Sequence, residues 1–202
     1  MTSPQLEPRG IPDVAGLIGR GMGLGILSIL SWQVLARGVS LSSAGPVLGI
    51  LDGANFIFHE AGHVLSAIFG EFLGVLGGSL TQVAIPVVCT GYFVRQHQAA
   101  AAAVTLFWTG ESITHVAIYI ADARVMALPL HGGYAVIHDW NYLLGRLHLV
   151  EHAERLGRLA FAMGVIAILS GLGLLALDLV SRWNRRAESE GSIDKQVDGR
   201  VQ

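Results

Sequence analysis

The residues that first suggest chemistry lie in NFIFHEAGHVLSAIFG, residues 55–70, where two histidines and a glutamate interrupt an apolar run. His59, Glu60 and His63 follow the pattern His-Glu-x-x-His. Positions four apart share one face of an α-helix, so the two imidazoles can bind a single Zn²⁺. Such an ion lowers the pKa of a bound water molecule to about 7, and the neighbouring glutamate can take its proton. The pattern therefore predicts a hydrolytic zinc site, with His59 and His63 as ligands and Glu60 as the base.

Other polar side chains extend the motif along the same helical face. Asp52, Asn55 and Ser66 are spaced three or four positions from each other or from the two histidines, while apolar residues cover the rest of the segment. An ionisable residue at the centre of a bilayer costs about 2.5–3.5 kcal/mol on insertion scales. An aligned polar stripe therefore requires compensation by partner side chains, water or a metal.

The composition of the whole chain is typical of a membrane protein. Of 202 residues, 52% are hydrophobic and only 14% are charged, and the mean hydropathy is +0.55. A net charge of -2 argues against a nucleic-acid partner, because no basic surplus is present to displace counterions from phosphates. The lipid bilayer is the first partner that the composition predicts.

Five apolar segments have the length needed to cross a bilayer, about 20 residues. They are residues 17–36, 44–70, 78–94, 99–121 and 159–180. The sequence thus predicts an all-α, polytopic membrane helix bundle of about five spans. Its integral membrane domain occupies residues 16–181, between a flexible N-terminal segment, 1–15, and a flexible C-terminal tail, 182–202.

The fourth apolar segment carries a second polar stripe. It consists of Thr105, Thr109, Ser112 and His115, with Glu111 beside them. These side chains either line a cavity that faces the second segment, or bond within their own helix while Glu111 pairs with His115. The sequence leaves both alternatives open.

Glycines give two further expectations about the apolar segments. Gly19, Gly21, Gly23 and Gly25 place small residues along the first segment, which favours close packing against another helix. The stretch EFLGVLGGSL, residues 71–80, has three glycines, which predict a turn or a re-entrant segment instead of a continuous helix.

An amphipathic segment precedes the last span. In DWNYLLGRLHLVEHAERLG, residues 139–157, the apolar residues Trp140, Leu143, Leu144, Leu147 and Val150 form one helical face. This pattern predicts an interfacial helix. The same segment contains an inverted motif, His-x-x-Glu-His at 148–152, but on its charged side, where a solvated surface is the expected environment.

FHEAGHVLSAIFG, within a hydrophobic helix, resembles the metal-binding helix of the site-2-protease type of intramembrane zinc metalloproteases, and particularly that of small bacterial members. The resemblance implies a zinc cofactor, peptide-bond hydrolysis within or near the bilayer, and a membrane-associated peptide or protein substrate. It also implies a multi-pass protein of the bacterial inner (plasma) membrane.

The third zinc ligand in that family is an aspartate from a later segment, often followed by glycine. Here LDG, residues 51–53, precedes the histidines instead, and Asp52 lies about 10 Å from His59 along a helix axis, too far to share the ion. Asp139 is the best later candidate, although an aspartate at that position is also a preferred N-cap. The other candidates are His115, His131 and His138.

Two different functions remain as alternatives to a peptidase. A non-catalytic membrane scaffold or chaperone would retain the family's fold with or without zinc, but a purely structural site does not need Glu60. A haem-binding or proton-relay protein would pair His63 with His115, and would also leave Glu60 unexplained. Neither the oligomeric state nor the membrane orientation follows from the sequence.

Overall fold

A computed structural model describes residues 14–39, 45–128 and 137–198. These residues form six α-helices and two short 3₁₀ helices, and they contain no strand. The α-helices are α1 (Val14–Arg37), α2 (Pro46–Ser66), α3 (Glu71–Arg95), α4 (Ala99–Asp122), α5 (Asp139–Arg146) and α6 (Ala153–Asp198). The prediction of an all-α fold is confirmed.

Three of these helices are long and apolar enough to cross a membrane: α1, α3 and the apolar part of α6. They indicate a membrane protein. The second and fourth predicted spans are helices as well, α2 and α4, but they are not among these three, and the prediction of five spans is not confirmed. Both helices carry the ionisable side chains noted above, and α4 is the most deeply buried element, packed against α3 and α6.

The contact between α4 and α6 is made by small residues that recur every seven positions. On α6 they are Gly157, Gly164 and Gly171, and on α4 they are Ala117, Gly110 and Ala103, paired in antiparallel order. A Cβ on Gly164 would lie 2.7 Å from the carbonyl oxygen of Gly110, and one on Gly171 would lie 2.8 Å from that of Ala103. The two backbones therefore approach as closely as small residues allow.

Gly164→Ala is expected to lower the free energy of unfolding by about 1–3 kcal/mol, the usual cost of overpacking a close contact. The new Cβ would lie 2.5 Å from Cγ2 of Thr114 and 3.0 Å from its backbone nitrogen. Unfolding by sodium dodecyl sulfate, followed by circular dichroism, measures this change. Gly173→Ala, on the same helix, is the matched control, because its Cβ would meet no described atom within 4 Å. Equal stability of the two variants would contradict the packing described here.

Helices α2 and α3 form an antiparallel hairpin through the 3₁₀ turn Ala67–Phe69 and Gly70, whose φ of 95° favours glycine. The expected interruption at 71–80 is wrong, since α3 is continuous through the three glycines of that stretch. Those glycines lie against α2: a Cβ on Gly77 would collide with Ser66, and one on Gly62 with the carbonyl of Gly77. Tertiary packing thus overrides the weak helix propensity of glycine.

Close backbone packing through the glycines of α1 is not found among the described residues. A Cβ on Gly19, Gly21 or Gly25 would meet nothing within 4 Å there, and one on Gly23 would make only an ordinary contact, 3.8 Å from Cδ2 of Leu175 on α6. Helix α1 is instead attached to α6 by an ion pair, in which Nε of Arg20 donates to Oδ2 of Asp178 at 2.6 Å.

The segment before α6 is less regular than predicted, and a long interfacial helix is not confirmed. Helix α5 has only eight residues, and His148 at φ 57° separates it from the 3₁₀ turn Val150–His152. The interfacial pattern predicts that Leu143 and Leu144 face lipid. Both are instead buried within the protein, with exposures of 2% and 3%. Within the inverted motif, Glu151 forms an exposed ion pair with Arg124.

Helix α6 continues beyond the predicted domain boundary, since the chain is helical from residue 182 to Asp198, where a flexible tail was expected. Two ion pairs between residues one helical turn apart stabilise the start of this extension. Arg182 pairs with Asp178, and Arg186 pairs with Glu190.

Candidate metal centre

Three side chains of α2 form a cluster that can hold a metal ion. His59, Glu60 and His63 each offer a ligand atom, and these atoms lie within 4.8 Å of one another. His59 is buried, His63 is half-buried and Glu60 is exposed. The i, i+4 spacing of the histidines along one helix produces this arrangement, as the sequence predicted.

The structure brings Asp139 to the same point from a distant part of the chain. Its Oδ2 lies 2.8 Å from Nε2 of His59 and 3.2 Å from Nε2 of His63. Burial raises the pKa of the Asp139 carboxyl, but its hydrogen bonds with His59 and His63 outweigh burial and hold that pKa below the usual value. An ionised carboxylate therefore faces both imidazoles.

The alternative role of Asp139, as an N-cap, is taken by its neighbour. His138 is the N-cap residue of α5, and its Nδ1 accepts a hydrogen bond from the backbone nitrogen of Asn141 at 3.2 Å. Asp139 occupies the first helical position, from which its side chain reaches α2.

Hydrogen bonds fix the orientation of His63. Its Nδ1 lies 2.9 Å from the carbonyl oxygen of Gly74, which only accepts, so Nδ1 must carry a proton. A metal-binding histidine ordinarily donates its other ring N–H in this way. Nε2 of His63 is left to face Asp139 and a metal.

Gly78 of α3 lies directly against the two imidazoles. A Cβ on Gly78 would lie 2.6 Å from Nε2 of His63 and 2.9 Å from Nε2 of His59. Only glycine leaves room for both rings at this position. From the sequence, Gly78 is expected in a turn or a re-entrant segment, and no local pattern reveals its position beneath the imidazoles.

The donor set is compatible with a divalent metal ion. Two imidazole nitrogens and one carboxylate oxygen are common ligands of catalytic zinc, and ligand atoms in a tetrahedral site lie about 3.3 Å apart. The distances from Oδ2 of Asp139 to the two Nε2 atoms, 2.8 and 3.2 Å, are close to that spacing. The same donors also suit other divalent transition metals.

The other candidate ligands have different partners. Nε2 of His138 lies 3.3 Å from Oδ2 of Asp122, and both side chains are buried. His115 contacts Gln82 and Asp52 instead of the cluster. His131 lies outside the described residues. Asp52, excluded on its distance along the helix, faces Arg37, with Oδ2 3.5 Å from the guanidinium.

Several residues that the sequence analysis missed hold the start of α5 in place. The backbone nitrogen of Asp139 donates to the Tyr119 hydroxyl at 3.2 Å, and Nδ2 of Asn141 donates to the carbonyl of Ala123 at 2.8 Å. Nε1 of Trp140 donates to Ser79 at 3.1 Å. Helix α5 is thereby attached to both α3 and α4, which positions the carboxylate of Asp139.

The polar stripe of α4 divides between the two alternatives. Thr105 and Thr109 bond back to their own helix, at 3.0 Å to the carbonyl of Ala101 and 2.9 Å to that of Thr105. Glu111 does not pair with His115: its Oε2 accepts from Nδ2 of Asn55 on α2, at 2.7 Å. The part of the stripe around Glu111 thus faces α2.

The centre combines separate parts of the chain. Helix α2 supplies the histidines and Glu60, α5 supplies a carboxylate, and α3 supplies the glycine surface beneath them.

Comparisons with protein-family models, with curated proteins and with solved structures found no match for this chain.

Proposed function

We propose that this protein is a zinc-dependent intramembrane metallopeptidase of the site-2-protease type, which hydrolyses peptide bonds of membrane-associated substrates. One observation carries the proposal: the carboxylate of Asp139 lies against Nε2 of both His59 and His63, with Glu60 beside them. This is the set of two imidazoles, one carboxylate and one base that metal-assisted hydrolysis requires.

With Glu60 assigned as the base, three protein ligands remain, and this number favours catalysis over a structural role. A structural zinc is ordinarily closed by four protein ligands, whereas a catalytic zinc keeps three and one open position. Glu60 is exposed on α2 beside the exposed apolar side chains of Ile57 and Val64. A substrate segment in the apolar phase would therefore meet the carboxylate without crossing the bundle.

The proposed mechanism assigns one task to each residue. His59, His63 and Asp139 would hold zinc, which when bound lowers the pKa of a water molecule to about 7. Glu60 would accept a proton from the water that attacks the scissile carbonyl. It would then return the proton to the leaving amine, as in general acid–base catalysis.

The proposal extends to the location of the site in the bilayer. We place α2 and α4 within the membrane beside the three apolar helices, giving five spans in a bacterial plasma membrane. The small-residue contacts of α2 with α3 and of α4 with α6 support this arrangement, because close backbone approach is how membrane helices associate.

Metal content of the purified protein, measured by inductively coupled plasma mass spectrometry, tests the site. We expect about one zinc per chain in the wild type, and its loss in His59→Ala, His63→Ala and Asp139→Ala. His152→Ala is the control, since that side chain is exposed and distant in sequence from the cluster. A wild type without metal after zinc reconstitution would refute the proposal.

A cleavage assay separates the peptidase from a zinc-containing scaffold. Membranes are incubated with wild type or with Glu60→Gln, and new peptide termini are identified by mass spectrometry. A peptidase produces termini that are absent with the variant. Zinc-loaded wild type that produces none would instead support a non-catalytic scaffold or chaperone.

A further inference from the structure

Gln82 of α3 connects two histidines in the interior of the bundle. Its side chain is 2% exposed, with Oε1 3.2 Å from Nδ1 of His59 on α2 and Nε2 3.2 Å from Nδ1 of His115 on α4. One amide therefore contacts a proposed metal ligand and a histidine outside the metal centre.

The backbone carbonyl of Ser112 distinguishes the nitrogen of the Gln82 amide from its oxygen. It lies 3.4 Å from Nε2 of Gln82, and a carbonyl oxygen can only accept a hydrogen bond. The amide NH₂ must therefore face Ser112 and His115, and the amide oxygen must face His59.

The orientation of the amide sets the proton positions on both rings. Nδ1 of His59 must donate to the amide oxygen, so it carries a proton and leaves Nε2 to face Asp139. Nδ1 of His115 must accept from the NH₂ group, so its proton lies on Nε2, which is 3.8 Å from Oδ1 of Asp52. The proton on Nε2 of His115 is thus directed at a carboxylate, which favours this placement electrostatically.

We propose that Gln82 is a positioning residue that fixes the protons on Nδ1 of His59 and Nδ1 of His115 in opposite senses, through one hydrogen bond to each ring. Its consequence is that Nδ1 of His59 keeps its proton, so Nε2, which lies 2.8 Å from Oδ2 of Asp139, is the ring atom that a metal would bind. The part that concerns metal rests on the proposed function, whereas the proton positions do not.

Nitrogen-15 NMR of the metal-free protein, labelled at histidine, tests the proton positions directly. Resonances are assigned with His59→Gln and His115→Gln. We expect Nδ1 of His59 to carry a proton and Nδ1 of His115 to carry none. The reverse placement on either ring in the wild type would overturn the proposal, whether or not the protein binds zinc or has activity.

Gln82→Glu gives the sharper test, because a carboxylate accepts at both ends. Nδ1 of His59 should stay protonated, while the proton of His115 should move from Nε2 to Nδ1. A residue that only fills space would not cause this change. Gln96→Glu, at an exposed glutamine at the end of the same helix, is the control and should shift neither ring. An unchanged His115 in a folded Gln82→Glu variant would contradict the proposal.

The affinity for zinc measures how Gln82 affects the metal centre. Gln82→Met removes both hydrogen bonds at similar volume, and we expect zinc to bind about 10- to 100-fold more weakly, as for other losses of a ligand's hydrogen-bond partner. Competition with a chromophoric chelator measures this ratio, with Gln96→Met as control. Unchanged affinity would overturn the consequence for the metal, while a wild type that binds no zinc would count against the proposed function alone.

Discussion

Replacing Glu60 by glutamine is expected to slow peptide hydrolysis by about 10²- to 10⁴-fold, the usual contribution of a general base, while leaving the zinc content unchanged. Glutamine retains the size of the side chain but cannot take a proton. Glu60 supplies neither of the imidazoles nor the carboxylate of Asp139, so the proposed ligands stay in place. Parallel measurement of cleavage rate and of zinc per chain checks both parts of this result.

Glu151→Gln is the matched control for this substitution. Glu151 is exposed, and its ion pair with Arg124 lies on the surface, where such pairs contribute little to stability. The control should retain both zinc and activity. If Glu60→Gln cleaved substrates at the wild-type rate, Glu60 would not be the base, and the mechanism would need another proton acceptor.

Gly78→Ala is expected to weaken zinc binding by about 10- to 100-fold, the usual loss of affinity when residues that support the metal ligands are changed. The added Cβ would lie 2.6 Å from Nε2 and 2.7 Å from Cε1 of His63, and 2.9 Å from Nε2 of His59. Both imidazoles must move, or α3 must move away from α2. Chelator competition on the detergent-purified protein measures the loss of affinity.

Gly91→Ala separates this effect from a general effect of alanine on α3. A Cβ on Gly91 would meet no atom within 4 Å in the described part of the chain, so this variant should bind zinc as the wild type does. Thermal unfolding of both variants shows whether Gly78→Ala remains folded. A folded Gly78→Ala protein with wild-type zinc affinity would show that the imidazoles do not pack against Gly78 as described.

Local periodicity explains why part of the centre was predictable. An α-helix repeats every 3.6 residues, so the spacing of His59 and His63 places them on one face wherever the helix lies. The apolar composition likewise predicted an all-helical membrane protein, because a chain in lipid must satisfy its backbone hydrogen bonds internally. Both conclusions depend only on neighbours in sequence.

Glycines show where local reasoning failed. The sequence assigned close packing to α1 and a break to residues 71–80, whereas the close contacts lie between α2 and α3 and between α4 and α6. A glycine has the same propensity in each of these helices. Whether it breaks a helix, packs a helix or receives a histidine depends on what the neighbouring helix places against it.

The sequence by itself determined the helical membrane class, the motif helix and the pair of histidines, since these follow from composition and short spacing. Only the tertiary structure decided which distant groups join them. Asp139 comes 80 residues after His59 and was one of four candidates, and Gln82 and Gly78 carried no local pattern at all. Their positions depend on the packing of α3 and α5 against α2, and contacts between helices far apart in sequence leave no periodic trace in any one of them.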